Sequence, residues 1–212
     1  MSNFESDTQR AKFARGFIGN RLYGFRKDIR VCLTQDKRTG ESAFFPALIT
    51  CIAMLELLSG MYNGDLTHYH TLERILKFRK LFMDKRVYTP LLTKILYTVM
   101  RHKVAHLTHP YYVTDTRNER YLRDYKKQMR ITWSISNGAS QQAIQLIAEK
   151  GTVTRSPRPP WPVIYDHRLM IHLRTLSDDI SNAADAYGTA LSASKNKILR
   201  NRFEETMKFF YP

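Results

Sequence analysis

Cysteine, acidic residues and long apolar runs are all scarce in this sequence. Cys32 and Cys51 are its two cysteines among 212 residues, and their spacing matches neither a disulfide framework nor a metal site. Both lie among apolar neighbours, which indicates buried thiols in a reducing compartment. The longest apolar run, 44–58, is interrupted by Pro46 and Glu56 and is shorter than the roughly 20 residues that cross a bilayer. We therefore expect no membrane partner.

Several common functional signatures are also missing. The chain has no Gly-rich phosphate-binding loop, no Gly-x-Ser-x-Gly nucleophile elbow and no cysteine in a nucleophile context. These absences argue against nucleotide-binding switches and against serine or cysteine hydrolases. The first twenty residues carry charges throughout and lack the apolar core of a secretory signal, so we expect a cytoplasmic protein.

Positive charge is the strongest feature that the sequence does have. Lys and Arg number 34 against 19 Asp and Glu, so the formal net charge is +15 and the pI is about 9.9. Many of the basic residues lie in three clusters, at 21–30, 77–86 and 117–130. A field of this size attracts polyanions, above all nucleic acid. RNA is the partner we expect, and a solvated basic surface without a specific partner is the alternative.

Apolar residues recur at helical spacing along most of the chain. This pattern predicts helices over 13–33, 47–62, 66–83, 89–100, 140–150, 167–187 and 196–210. Thr89-Pro90 is a start signal, because a threonine N-cap followed by proline suits the first helical turn. Alternation over 111–116 and 130–136 predicts a short antiparallel pair of strands.

Short connections between the first four helices indicate a mainly α fold, a helical bundle with a small β-hairpin and C-terminal helices. We expect a single domain over 1–212, with the bundle core and its β element at 10–136. A proline-rich linker over 151–165 then leads to C-terminal helices over 166–212, which pack on the bundle.

The segment 99–110 holds the candidate catalytic residues. Arg101 and His106 are five residues apart, and Pro110 ends the helix that carries them. Arginine offers fixed, bidentate donors to a phosphate, and histidine can move a proton near neutral pH. On a regular α-helix two residues five apart diverge by about 140°. For both side chains to reach one phosphate, the helix must bend or end, or two copies must face each other.

The pattern Arg-polar-x-x-x-His after an apolar helix, formed here by Arg101, His102 and His106, resembles the signature of the HEPN superfamily. That superfamily comprises metal-independent ribonucleases of toxin–antitoxin and defence systems, together with catalytically silent relatives. The resemblance covers roughly residues 10–136. It implies a HEPN-like bundle and an endoribonuclease that needs neither a metal nor another cofactor.

The resemblance also implies a role for each residue of the motif. Arg101 holds the scissile phosphate, His106 acts as general acid or base, and His102 contributes to the polar pocket. The expected products carry a 2′,3′-cyclic phosphate and a free 5′-hydroxyl. Two motifs usually pair across a homodimer, and a toxin or defence role adds an antitoxin or another protein partner. The residues expected to contact RNA are Lys103, His109 and Tyr111, the last by stacking on bases.

Other interpretations of the segment stay open. His102, His106 and His109 stand at i, i+4 and i+7, a spacing that could hold zinc, but Lys103 occupies the place of the usual catalytic glutamate. The histidines could equally be ordinary polar residues at a helix C-terminus, where cations are favoured. The alternative function is a non-catalytic module of the same fold that binds nucleic acid or a protein partner through its basic surface.

Overall fold

The computed structural model describes residues 6–40, 42–67, 69–102, 113–154, 161–193 and 196–211. Within these ranges the chain forms both α-helices and a β-sheet. In chain order the elements are α1 (Asp7–Leu33), α2 (Phe44–Asn63), α3 (Thr71–Phe82), α4 (Pro90–Ile95), a π-helix (Leu96–His102), β1 (Thr114–Asp115), a 3-10 turn (Thr116–Asn118), β2 (Arg130–Ser136), β3 (Ile144–Thr152), β4 (Ile164–His172), α5 (Leu173–Ser192) and α6 (Lys197–Met207).

The chain divides into two compact units. The first consists of Met1–Val31, Thr50–Lys85 and Ser177–Pro212, and it contains only helices among its described residues. The second consists of Cys32–Ile49 and Arg86–Leu176, and it contains the β-sheet, α4 and the π-helix. The C-terminal end of α1, the start of α2 and the first residues of α5 belong to the second unit, so these helices contribute residues to both.

Aromatic rings form the core of the first unit. Tyr62, Phe78, Phe82 and Tyr187 pack together with ring centroids 4.9 to 6.4 Å apart, mostly edge to face. Burial raises the pKa of the Tyr187 phenol well above its ordinary value, because the charged form would lose its hydration. This cluster brings α2, α3 and α5 together.

A second group of rings joins α1 to α6 and the residues after it. Phe17 on α1 lies 5.7 Å from Phe203 on α6, between ring centroids, and 5.4 Å from Phe210. Beside them the Arg10 guanidinium donates to the Glu204 carboxylate, with Nε 2.5 Å from Oε1. The prediction of a helix over 196–210 is confirmed by α6 and its contacts with α1.

The second unit contains a mixed four-stranded sheet, with its strands in the order β1-β2-β4-β3. β2 and β4 are parallel, with Ile131 opposite His167 and Ser136 opposite His172. β3 is antiparallel to β4, and its register shifts between Ala148 and Gly151. The predicted antiparallel pair is confirmed in a short form, because β1 aligns two residues with the start of β2.

Alternation along β4 shows why this segment is a strand. Tyr165, His167, Leu169 and Ile171 are buried, whereas the residues between them are partly exposed. A period of two places all four on one face of the sheet. On β2 the indole of Trp133 meets Phe45 edge to face, with ring centroids 5.5 Å apart. The sheet is therefore held by one apolar face, as in other half-buried sheets.

Beside the register shift, a polar cluster links β3 to β4. Arg168 donates to both oxygens of the Glu149 carboxylate, at 2.8 and 2.5 Å, and to the Tyr165 hydroxyl at 2.9 Å. The hydrogen bonds from Arg168 keep the pKa of Glu149 below its ordinary value. Gly151 makes room for this arrangement, since a Cβ there would lie 2.6 Å from the Tyr165 hydroxyl.

The prediction of a mainly α bundle with a small β-hairpin is wrong. The four-stranded mixed sheet makes the chain an α/β protein, and the strands β3 and β4 occupy segments predicted as helices. The predicted helix over 140–150 is largely β3, and the first part of the predicted helix over 167–187 is β4. Ala, Gln, Glu and Lys in β3 favour a helix locally, but pairing with β4 outweighs that preference.

The helix α2 is longer than its apolar pattern suggested. It has 20 residues, so its length and composition would allow it to cross a membrane, although 56% of the apolar window is buried within the fold. Core helices of soluble proteins share these properties, and α2 by itself does not indicate a membrane. No disulfide links Cys32 and Cys51; Cys51 is buried, and Cys32 is half-buried.

Candidate functional site

The helix that leads to the Arg-His motif begins as the sequence predicts. The Thr89 hydroxyl accepts a hydrogen bond from the backbone N–H of Leu92 at 3.2 Å, and Pro90 occupies the first turn. Threonine satisfies an amide that the first helical turn leaves without a partner, and proline has no such amide to satisfy. The N-cap at Thr89 is therefore confirmed.

After one and a half turns the winding of this helix changes. α4 ends at Ile95, and Leu96–His102 continues as a π-helix. Leu96, Val99 and Met100 hold the π-helix in the core, each at most 3% exposed. Such segments are rare, are closed by i→i+5 hydrogen bonds and occur frequently at functional sites. The described part of the π-helix ends at His102, so the winding between Arg101 and His106 lies outside the described residues.

Arg101 lies at the end of the π-helix, and its side chain is half-buried. It is the member of the predicted site that the structure places in full. The backbone of His102 belongs to the same π-helix, whereas its side chain lies outside what the structure describes. The remaining predicted site residues lie outside the described ranges; they are Lys103, His106, His109 and Tyr111.

A highly charged connection follows β1 in the same unit. We call residues 116–129 the basic loop; it contains five basic residues and two acidic ones. All five basic side chains are exposed, namely those of Arg117, Arg120, Arg123, Lys126 and Lys127. The third basic cluster of the sequence is thus a surface feature, and it is suited to attracting a polyanion.

Specific hydrogen bonds hold the basic loop in one conformation. Thr116 and Met129 exchange two bonds across its base, from Thr116 N–H to the Met129 carbonyl and from Met129 N–H to Thr116 Oγ1, both 2.9 Å. The Gln128 amide donates to the carbonyls of Arg123 and Tyr125 at 2.9 and 3.0 Å. Leu122, fully buried, anchors the middle of the loop. The loop is therefore ordered despite its charge.

Three tyrosines connect the basic loop with the helix that carries Arg101. Tyr97 on the π-helix meets Tyr121 of the loop edge to face, with ring centroids 6.5 Å apart. Lys94 on α4 places its Nζ 5.8 Å from the ring centroid of Tyr125. The Arg120 guanidinium carbon lies 5.7 Å from the centroid of Tyr121. Cations and aromatic rings therefore alternate on this surface, a combination typical of single-stranded nucleic-acid binding.

One carboxylate lies at the base of this surface. Asp115 accepts hydrogen bonds from the backbone N–H and the Nε of Arg117, both 3.0 Å to Oδ1, and Arg130 Nε lies 3.8 Å from Oδ2. The hydrogen bonds from Arg117 lower the pKa of Asp115 and raise that of the guanidinium. Asp115 thus offsets part of the positive charge while it caps the 3-10 turn.

A serine–histidine contact lies at the carboxyl ends of the two parallel strands. Ser136 Oγ and His172 Nδ1 are 2.8 Å apart and belong to paired positions of β2 and β4. A hydrolytic triad also needs a carboxylate to orient the imidazole, and in the described ranges His172 has no hydrogen bond to one. We interpret the contact as a link between strands. The sequence placed His172 in a helix, and that assignment is wrong.

Metal binding finds no support in the part of the chain that the structure describes. No three side chains of His, Cys, Asp or Glu come close enough there to hold a metal ion. The zinc interpretation concerned His102, His106 and His109, whose side chains lie outside these ranges, so it is not tested.

Sequence reasoning missed the tyrosines of this surface. Tyr121 and Tyr125 are four residues apart among five basic residues, and this interleaving was the signal that could have found them. Tyr97 could not be found in this way, because it is 24 positions from Tyr121 and only the fold brings the two rings together.

Comparison of the chain with known protein families, with curated proteins and with solved structures returns no match. The functional assignment therefore depends on the site itself.

Proposed function

We propose that the protein is a metal-independent endoribonuclease that uses Arg101 and His106. The observation that carries this proposal is the position of Arg101. Arg101 lies near the end of the π-helix, four residues after Tyr97, and Tyr97 contacts the basic loop. With about one π-helical turn between them, Tyr97 and Arg101 lie towards the same side of the helix. RNA held by the loop would thus approach a guanidinium suited to bind phosphate.

The chemistry needs a phosphate-binding group and proton transfer. The ribose 2′-oxygen attacks the adjacent phosphorus, the bond from phosphorus to the 5′-oxygen breaks, and a 2′,3′-cyclic phosphate and a 5′-hydroxyl form. Arg101 stabilises the charge on the non-bridging phosphate oxygens. The His106 imidazole takes the proton from the 2′-hydroxyl or gives one to the leaving 5′-oxygen. His102 contributes polar contacts beside Arg101.

Two proton transfers accompany each cleavage, and one imidazole performs one of them at a time. A homodimer with two facing motifs would supply a second His106, one acting as base and the other as acid. This arrangement is part of the proposal, and it predicts that cleavage activity follows the population of dimer as the protein is diluted.

The test is cleavage of a mixed RNA pool by the purified full-length protein in EDTA. The wild type is compared with the double variant Arg101→Ala/His106→Ala, and the product ends are analysed. A matched control, Arg38→Ala/His70→Asn, removes an exposed arginine and an exposed histidine from other segments. Asparagine is chosen because residue 70 has a φ of 59°, which asparagine tolerates. We expect cyclic-phosphate ends with the wild type and the control, and no cleavage with the Arg101/His106 variant.

A non-catalytic RNA-binding module is the second candidate, and the basic loop favours it. The five exposed cations and the tyrosines do not require His106 to bind RNA. This candidate predicts no cleavage by the wild type and equal, salt-sensitive RNA binding by the wild type and the Arg101/His106 variant. That result would refute the nuclease.

A further inference from the structure

We infer that the basic loop and the adjoining face of α4 and the π-helix form a binding platform for single-stranded RNA. In this platform Tyr97, Tyr121 and Tyr125 receive bases, and the exposed Arg and Lys side chains of the loop contact phosphates. The choice of RNA over DNA rests on the proposed function, whereas the preference for a single strand rests on the geometry of the platform alone.

The three tyrosine rings are partly exposed and can receive bases. Tyr121 is 38% exposed, and Tyr97 and Tyr125 are half-buried, so each ring is anchored on one side. The rings are not a sealed core, because Lys94 of α4 and the exposed Arg120 of the loop approach them. An RNA base can stack on a tyrosine ring or on the plane of an arginine guanidinium. The cluster offers both kinds of surface.

The positive charge of the basic loop suits a chain of phosphates. The five basic side chains occupy an 11-residue stretch of the loop, and the acidic residues within that stretch are Glu119 and Asp124. Arg117 donates to the Asp115 carboxylate, and Arg123 lies 3.7 Å from Asp124, so two of the five cations are partly offset. Single-stranded RNA carries one phosphate per nucleotide. If three to five cations contact phosphates, the log–log slope of affinity against salt is about −2 to −3.5.

The backbone of the basic loop is held by its own contacts. Gln128, Thr116 and Leu122 hold its backbone in place by hydrogen bonds and by burial. A loop that is ordered before it binds loses less conformational freedom when the ligand arrives. Repulsion among five cations would otherwise favour an extended, mobile segment. The protein thus maintains a charged, aromatic surface in a fixed shape.

The same features favour a single strand over a duplex. Bases in an A-form duplex stack on each other and expose no ring face to a flat aromatic cluster, and a duplex is recognised mainly through backbone and 2′-hydroxyl contacts. The tyrosines can contribute binding energy only when bases are unstacked. A platform used for a duplex would need its cations but not its rings, and this difference can be measured.

The experiment measures the affinity of a fluorescein-labelled 12-nucleotide oligo-U for the full-length protein by fluorescence anisotropy in EDTA. All proteins carry Arg101→Ala/His106→Ala, so that the RNA stays intact and the outcome does not depend on cleavage. In this background we compare Tyr121→Ala/Tyr125→Ala with Tyr121→Phe/Tyr125→Phe. Tyr23→Ala, which removes a tyrosine that is 73% exposed on α1, is the control.

We expect the double alanine variant to bind about 10- to 100-fold more weakly, since each stacked base is lost. The double phenylalanine variant and Tyr23→Ala should bind within about threefold of the parent, because phenylalanine keeps the stacking ring. The phenylalanine variant also separates loss of stacking from disruption of the loop. Its retention of binding, together with loss in the alanine variant, supports the platform.

Three outcomes would overturn the inference. The first is equal affinity of the parent and the double alanine variant. The second is equally weak binding by the phenylalanine and alanine variants, which would assign the effect to the hydroxyls. The third is tighter binding of a 12-base-pair RNA duplex or of oligo-dT than of oligo-U. If the wild type fails to cleave RNA but these binding differences appear, the nuclease proposal falls and the platform stands.

Discussion

The rings of Tyr97 and Tyr121 meet edge to face, with their centroids 6.5 Å apart. Tyr97 belongs to the π-helix that ends with Arg101 and His102, and Tyr121 belongs to the basic loop. The contact therefore joins the part of the chain with the catalytic candidates to the part with the densest exposed charge. This ring contact holds the charged loop against the π-helix, whose apolar face is buried.

The N-cap of α4 should have a measurable effect on stability. Thr89→Ala removes the hydroxyl that accepts the Leu92 N–H, and we expect it to lower the free energy of unfolding by about 1 kcal/mol. Urea unfolding monitored by circular dichroism measures the change. Thr89→Ser keeps the hydroxyl and should retain most of the stability. An alanine variant as stable as the wild type would show that Pro90 alone defines the start of the helix.

The geometry of Arg101, and not only its charge, should matter for cleavage. Arg101→Lys keeps the positive charge but loses the planar fork that binds two phosphate oxygens at once, and we expect the cleavage rate to fall roughly 10- to 100-fold. RNA affinity should change by no more than about threefold, because the charge remains. Initial rates and anisotropy titrations give the two quantities.

Arg174→Lys, at an exposed arginine in the first turn of α5, is the matched control for that substitution. It should leave both the rate and the affinity unchanged. If Arg101→Lys cleaves RNA as fast as the wild type, a bidentate phosphate contact by Arg101 is ruled out.

Asp115 should make stability depend on pH in the acid range. Its pKa in the folded state lies below that of an unfolded aspartate, about 3.9. A carboxyl with a lowered folded pKa stabilises the fold fully above the unfolded pKa, and this contribution is lost as the pH falls through the folded pKa. Asp115→Asn cannot titrate. The urea midpoint of the wild type minus that of Asp115→Asn should be constant from pH 7 to about pH 5 and should shrink below about pH 4.

A difference that stays constant down to pH 2.5 would contradict the role of the Asp115 carboxylate. Asparagine keeps an oxygen that can accept the Arg117 N–H, so the substitution tests the charge more than the cap.

Two glycines of the first unit should respond to alanine in opposite directions. Gly16 lies inside α1, and a Cβ built there meets no described heavy atom within 4 Å. Gly16→Ala should therefore stabilise the protein by about 0.5–1 kcal/mol, through helix propensity. Gly64 has a φ of 81°, and its Cβ would lie 3.3 Å from the Arg202 backbone. Gly64→Ala should destabilise by about 1–2 kcal/mol.

Urea unfolding of both variants checks these signs. Gly64→Asn is an additional control, because asparagine tolerates the left-handed conformation better than alanine does. Destabilisation by Gly16→Ala would mean that the glycine is needed for close packing, and a neutral Gly64→Ala would mean that the turn after α2 adapts.

Local signals in the sequence were reliable where a helix depends on its own residues. The apolar spacing over 13–33 and 47–62 predicted α1 and α2, and Thr89-Pro90 predicted the start of α4. Each of these signals acts within one or two turns, through side-chain spacing or through a single cap. The basic cluster at 117–130 was also readable, because exposure of charged side chains follows from the cost of burying them.

The sheet could not be predicted in the same way. The segment 140–150 contains helix-forming residues and becomes β3 because β4 pairs with it; β4 in turn pairs with β2, 36 residues earlier in the chain. Such pairing is non-local, so no window of ten or fifteen residues contains the information that decides it. For 167–172 an alternating pattern was present, but apolar residues that continue into α5 concealed it.

Residues that are neighbours in the chain were enough to give the net charge, the approximate positions of α1 and α2 and the Arg-x4-His motif. The α/β fold, the π-helical winding of Leu96–His102 and the contact between Tyr97 and Tyr121 depend on the folded chain. The physical reason is the same in each case. Strand pairing and a contact over 24 residues join distant segments, and the π-helix is held by the burial of Leu96, Val99 and Met100. These contacts exist only once the chain has folded.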